Sequence, residues 1–189
     1  MISIKTVSED ETRNVGTMLG SILRKGDVVG LEGELGVGKT VLVKGMAAAL
    51  GVKEYVTSPT FVILNEYKGR LPVYHFDVYR VPGPGDVYDI GFDEYIYSDG
   101  IVIVEWADLI RDILPAEIIW IKIERSCRKR NIAGKTSNMA QNRLFGEAGG
   151  VGGVRVLHMS FTGERYKEYE NYLVSKIGKE VTRKEVDKE

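Results

Sequence analysis

Cysteine is almost missing from this 189-residue chain: Cys127 stands alone. No disulfide can form within the chain, and a reducing compartment suits it. Histidine is nearly as scarce, at two residues, so with one cysteine there is no credible zinc site. No run approaches the roughly 20 apolar residues of a membrane helix, and the opening Met1-Ile2-Ser3-Ile4-Lys5 lacks a signal-peptide core. Net charge is only −1 and the sequence pI about 6.2, which leaves no global field toward nucleic acid or a membrane. These absences lead us to expect a cytoplasmic protein with no membrane association. Length and an ordinary apolar share add one domain over residues 1–177 and a charged tail over 178–189.

What the chain does have is a glycine loop with a lysine at its end. Residues 33–40 read Gly-Glu-Leu-Gly-Val-Gly-Lys-Thr, which fits G-x-x-x-x-G-K-[ST]. Glycines let the backbone N–H groups close on an anion, the lysine supplies a point charge for β- and γ-phosphates, and the threonine hydroxyl suits a Mg²⁺ ligand. The flanks give the pattern its meaning. Residues 27–32 form a short β-branched apolar run, expected as a buried strand. Residues 40–50 are rich in Leu, Lys, Met and Ala and stop at Gly51, which predicts a helix. The helix N-terminus then faces the bound phosphate. The loop Glu34, Leu35, Gly36, Val37, Gly38, Lys39 and Thr40 is therefore expected to bind a nucleoside triphosphate.

Elsewhere the pattern predicts an α/β chain. Ile2 and Ile4 alternate with polar residues in a strand over 2–6. Ser8 and Glu11 form a capping box for a helix whose apolar stripe is Val15, Met18, Leu19, Ile22 and Leu23. Residues 61–67 and 71–81 have strand composition around a glycine-containing turn, so a hairpin is expected. In its second arm Val73, His75, Asp77 and Tyr79 share one face, and Tyr74, Phe76 and Val78 the other. A short helix and loop are expected over 87–97, a central strand over 101–104 ending in Glu105, and a short helix over 109–113. Strands over 118–124 and 154–161 pair most simply with each other, and a closing helix carries Tyr166, Tyr169, Leu173 and Ile177 on one side. Between those two strands, residues 125–153 are basic, glycine-rich and poor in large apolar side chains, which predicts a mobile loop.

A phosphate loop holds phosphates without hydrolysing them, so the acids matter. Glu105 ends an apolar strand and is the first candidate for a Mg²⁺ acid. Thr60, after Ser58-Pro59, is the candidate switch threonine, and Asp77 the second acid. Plainer roles compete: Thr60 as a turn residue, Asp77 paired with Arg80 or His75, His75 as a hydrogen-bonding core residue. Trp106 is either core filling or an exposed contact.

Gly33 to Thr40, Ser58-Pro59-Thr60-Phe61, His75-Phe76-Asp77-Val78-Tyr79-Arg80 and Val104-Glu105-Trp106-Ala107-Asp108 occur together in this order. In this they resemble the TsaE (YjeE) family, over roughly residues 1–124 with a fainter echo at 154–177. The resemblance implies a P-loop NTPase fold, a parallel core sheet flanked by helices and extended by antiparallel strands. It implies Mg²⁺-dependent hydrolysis of ATP, with Lys39 and Thr40 at the phosphates and metal, and Thr60 in the switch. Asp77 and Glu105 become the catalytic and metal-binding acids, exchangeable in role, with Trp106 beside them. It also implies docking on the TsaB–TsaD pair that places threonylcarbamoyl on the adenosine beside the anticodon, tRNA being reached indirectly. The family joins its last two strands by a short turn, so the segment 125–153 departs from it. A small-molecule P-loop kinase and a nucleotide-dependent binding module without turnover are the alternative functions.

Overall fold

A computed structural model of the chain describes residues 1–81, 83–88, 90–126, 153–177 and 181–183. The expected mobile loop, apart from its two ends, and most of the tail lie outside these residues. Eight strands form one sheet in the order β3-β4-β5-β2-β6-β7-β1-β8. The strands are β1 (Ile2–Thr6), β2 (Val28–Glu32), β3 (Leu64–Lys68), β4 (Pro72–Asp77), β5 (Ile101–Glu105), β6 (Ile118–Arg125), β7 (Arg155–Thr162) and β8 (Val181–Arg183). β4, β5, β2 and β6 run parallel, while β3, β7, β1 and β8 pair antiparallel outside them. This is the expected P-loop sheet, a parallel core with antiparallel extensions.

The central strands are apolar on both faces because both are covered. Val29, Leu31, Ile101 and Ile103 pack on one side with the buried stripes of α1 (Glu9–Ile22), α2 (Lys39–Ala49) and α5 (Lys167–Ile177). Val28, Phe76, Val102 and Val104 pack on the other with Val87 of α3 (Pro84–Tyr88), Phe92 and Ile96 of α4 (Phe92–Ile96) and Ile110 of a 3-10 helix (Ala107–Ile113). Each fully buried Val, Ile or Leu there contributes about 1.5–3 kcal/mol of transfer free energy. The faces of β4 fall as the alternation predicts, Val73 in the first cluster and Phe76 and Val78 in the second.

Local chemistry sets several boundaries. Ser8 Oγ accepts the Glu11 N–H at 3.0 Å and Glu11 Oε2 accepts the Val7 N–H at 2.7 Å, so the capping box closes one residue further out than its usual form. β3 begins at Leu64, later than composition suggests. The carbonyl of Pro59 takes the N–H groups of both Val62 and Ile63, which forms a tight turn and leaves Phe61 and Val62 exposed. Ile63 then has a φ of 66°, a costly conformation for a β-branched residue. The tail supplies β8, whose pairing with Ile2–Ile4 places β1 inside the sheet.

Candidate nucleotide site

Because β2, β4, β5 and β6 are parallel, their carboxyl ends share one side of the sheet, where open α/β sheets bind ligands. Register brings the candidates together. Leu31 and Asp77 are both Cα partners of Glu105, so the glycine loop that follows β2 and the two acids meet at adjacent strand ends. The loop backbone depends on glycine at both ends. Gly33 has φ 147° and a Cβ there would lie 2.4 Å from the Ile123 carbonyl oxygen; Gly38, at φ 118°, is the N-cap of α2. Glu34, Leu35 and Gly36 form the exposed tip, whereas Val37 is buried.

Lys39 begins α2 and is almost fully buried. Its ammonium donates to the Gly33 carbonyl at 2.7 Å and the Glu34 carbonyl at 3.1 Å. It also lies 3.6 Å from the centroid of the Trp106 ring, a cation–π contact. Burial pulls its pKa below the ordinary lysine value, and the negative charges of Glu105, Asp77 and Asp108 partly oppose that. Trp106 itself has a left-handed backbone, φ 62°, and stacks on Tyr79 at 4.6 Å. It is therefore neither plain core filling nor a detached surface residue. It forms a wall over the lysine.

The two acids head two separate hydrogen-bond clusters. Thr40 Oγ1 donates to Glu105, 2.8 Å from Oε1 and 3.1 Å from Oε2, and His75 Nε2 lies 2.9 Å from Oε1. Asp77 Oδ2 accepts the hydroxyls of both Ser58 and Thr60, while Oδ1 accepts the Tyr79 N–H at 3.1 Å. Thr60 thus sits on Asp77 and is not bonded to Thr40 or Glu105. Both carboxylates are buried, yet their hydrogen-bond partners are a backbone N–H, hydroxyls and an imidazole. Buried carboxylates with no lysine or arginine bonded to them favour an approaching cation. No group of three or more His, Cys, Asp or Glu able to hold a metal occurs among the described residues. Thr40 with Glu105 instead suits Mg²⁺, which keeps waters and takes few protein ligands beside phosphate oxygens.

Comparison with known proteins gives the family and the fold. The family described as threonylcarbamoyl adenosine biosynthesis protein TsaE matches residues 6–132. The chain belongs to the TsaE family. The TsaE protein of Bacillus subtilis is 45% identical over 123 residues, 65% of this chain and 77% of that protein. The TsaE protein of Treponema pallidum is 43% identical over 116 residues, 61% of this chain and 86% of that one. The crystal structure of Bacillus subtilis YdiB superposes with a TM-score of 0.69 at 32% identity, covering 93% of this chain and 97% of YdiB.

Within this TsaE-family chain, four residues at the site have no role assigned from sequence. Ser58 shares Asp77 with Thr60. Tyr79 backs Trp106. Arg125 donates to the Gly36 carbonyl at 2.8 Å, and Arg155 Nε to the Val37 carbonyl at 2.7 Å. Ser58 and Tyr79 lie inside stretches that carry the family resemblance, so they could have been found there. The two arginines could not, because nothing local marks a contact between residues 37 and 155.

Proposed function

We propose that this TsaE-family chain is a Mg²⁺-dependent ATPase. It would support threonylcarbamoyl modification of the adenosine beside the anticodon by docking on the TsaB–TsaD pair in the cytoplasm. The observation that carries the reading is the meeting of Lys39 and Thr40 with Glu105 and Asp77 at three adjacent strand ends. No helix among the described residues is long and apolar enough to cross a membrane. Bound ATP with Mg²⁺ supplies a transferable phosphoryl group whose negative charge the metal shares.

The chain's own residues divide the remaining work. N–H groups of residues 34–40 cradle phosphate oxygens at the start of α2. Lys39 exchanges its carbonyl partners for phosphate oxygens, with Trp106 shielding the ammonium from water. Thr40 and Glu105 hold the metal. Asp77 orients water and takes its proton, and Thr60, released from Asp77 Oδ2, turns toward the terminal phosphate as the switch. Exchanging the roles of Glu105 and Asp77 leaves the residue set unchanged.

Phosphate release from ATP, with and without Mg²⁺ and with and without purified TsaB–TsaD, tests the proposal. Slow metal-dependent release that the pair accelerates supports it. A phosphorylated small molecule in place of free phosphate makes the protein a kinase. Tight ATP binding with no turnover, even beside the pair, makes it a binding module.

A further inference from the structure

We propose that His75 is a positioning residue: its imidazole, protonated on Nε2 alone, fixes the Glu105 carboxylate in the orientation in which Thr40 and Glu105 share one metal ion. The metal half of this inference rests on the nucleotide-site reading above; the tautomer half rests on geometry alone. His75 lies inside β4 two residues before Asp77, and its ring reaches toward the strand end to place Nε2 2.9 Å from Glu105 Oε1. Both side chains are essentially inaccessible, at 0% and 3% exposure. Nδ1 is equally buried and has no hydrogen-bond partner among the described residues.

That asymmetry assigns the proton. An N–H on Nδ1 would be an orphaned buried donor, which proteins rarely tolerate, whereas an unpaired acceptor is tolerated more readily. The proton belongs on Nε2, where it donates to the carboxylate. Tyr67 lies nearly parallel to the imidazole, at 30° with centroids 6.4 Å apart, and helps keep the ring plane in place. Among the described residues the only other side chain bonded to the Glu105 carboxylate is Thr40. Thr40 would give an oxygen lone pair to the metal while its hydrogen stays available to Glu105, so the imidazole is the one anchor of the carboxylate among these partners that would not itself touch the metal. Partners of this kind, which orient a metal ligand without touching the metal, are worth about 10–100-fold in metal affinity or activity.

The experiment has two arms. In the ligand-free native protein, ¹⁵N NMR of the two histidines reads the tautomer, with His158→Gln used to assign the signals. In the second arm, Mn²⁺ binding is followed by EPR in the presence of the β,γ-imido analogue of ATP, for the native chain, His75→Leu and His75→Gln. Glutamine can carry an amide N–H to the place of Nε2; leucine cannot. The expected result is an Nε2–H signal for His75, and about tenfold or greater loss of Mn²⁺ affinity in His75→Leu. Recovery to within about threefold of the native affinity is expected in His75→Gln. Binding of the analogue without metal should stay within about twofold in both variants. A His75 signal showing the proton on Nδ1, or on both nitrogens, overturns the tautomer. Equal Mn²⁺ affinity in the leucine and glutamine variants overturns the positioning role, as does a leucine variant that binds Mn²⁺ like the native chain. A native chain that binds neither analogue nor Mn²⁺ removes the functional reading and the metal half together, while the NMR arm still decides the tautomer.

Discussion

Buried carboxylates stand just before β2 and, at the opposite end of the parallel strands, at the ends of β5 and β4, and their partners differ in kind. Before the strand, Asp27 accepts the Arg24 N–H at 2.7 Å, the Tyr169 hydroxyl at 2.8 Å and the Arg165 guanidinium at 2.6 Å. A cation, a phenol and a backbone N–H thus saturate it, tying α5 to the turn between α1 and β2. Beyond the strand, Glu105 and Asp77 are bonded to hydroxyls, an imidazole and one backbone N–H, while the nearby ammonium of Lys39 spends its hydrogens on carbonyls. One end is an anchor with its charge already paired. The other holds two acids and a lysine unpaired with one another, which suits a ligand that brings both phosphate and metal. The difference between the anchoring acid and the two acids of the candidate site lies in their partners, since burial is common to both.

Substitutions can separate the two ends. The largest effect is expected from Lys39→Met or Asp77→Ala, each lowering Mg²⁺-dependent ATP hydrolysis by about 100- to 1000-fold. Lys39→Met should leave the urea midpoint nearly unchanged, because it removes a buried charge, whereas Asp77→Ala also orphans the Ser58 and Thr60 hydroxyls and the Tyr79 N–H and should lower it. A normal rate in both variants would put the chemistry elsewhere. Next comes Asp27→Ala, which orphans three donors and should cost about 3 kcal/mol of stability, a fall in melting temperature of roughly 6–12 °C for a chain of this size. Hydrolysis measured well below that melting temperature should be unchanged. A calorimeter and a phosphate assay on one preparation decide both points.

Smaller effects sharpen the same comparison. Thr60→Val should slow hydrolysis about tenfold and Ser58→Ala less, if Thr60 moves to the nucleotide while Ser58 stays to hold Asp77. Equal losses would make the two hydroxyls a static pair. The smallest effect is a pH dependence at the anchor. Burial is the main reason that the Asp27 pKa lies above the ordinary carboxylate value, so the folded state holds the proton more tightly than the unfolded chain. Its contribution to stability is greatest below the unfolded value of about 4 and shrinks as pH rises to the raised folded value. The stability difference between the native chain and Asp27→Asn should narrow across that window and then level off. A difference that widens with pH would mean that the charged form is preferred.

The end that carries the candidate nucleotide site was more legible in the sequence than the anchor. Gly33 to Thr40 declares itself because a glycine loop between a β-branched run and a helix is a local pattern, and Glu105 follows from its place at the end of Ile101–Val104. Tyr166 and Tyr169 were readable as one side of a closing helix, although Tyr166 lies in the 3-10 turn Glu164–Tyr166 just before α5; the bond of Tyr169 to Asp27 and that of the Val28 N–H to Tyr166 join residues more than 100 positions apart. His75 with Glu105 and Arg155 with Val37 are likewise pairs that only the strand order creates. Phe61 and Val62 misled for another reason: their strand composition is overridden by a backbone turn on Pro59, and β propensity yields readily to such context. β8 went unread because three residues in a charged tail carry no periodicity.

The most direct test of the account is phosphate release from Mg²⁺–ATP by three preparations: the native chain, Glu105→Gln and Asp27→Asn. The expected result is slow release by the native chain, retention of that rate in Asp27→Asn despite its lower melting temperature, and loss of about 100-fold or more in Glu105→Gln without a loss of stability. Equal rates in all three, or equal losses in both variants, would contradict it, because the two buried acids would then not differ in the way their partners require.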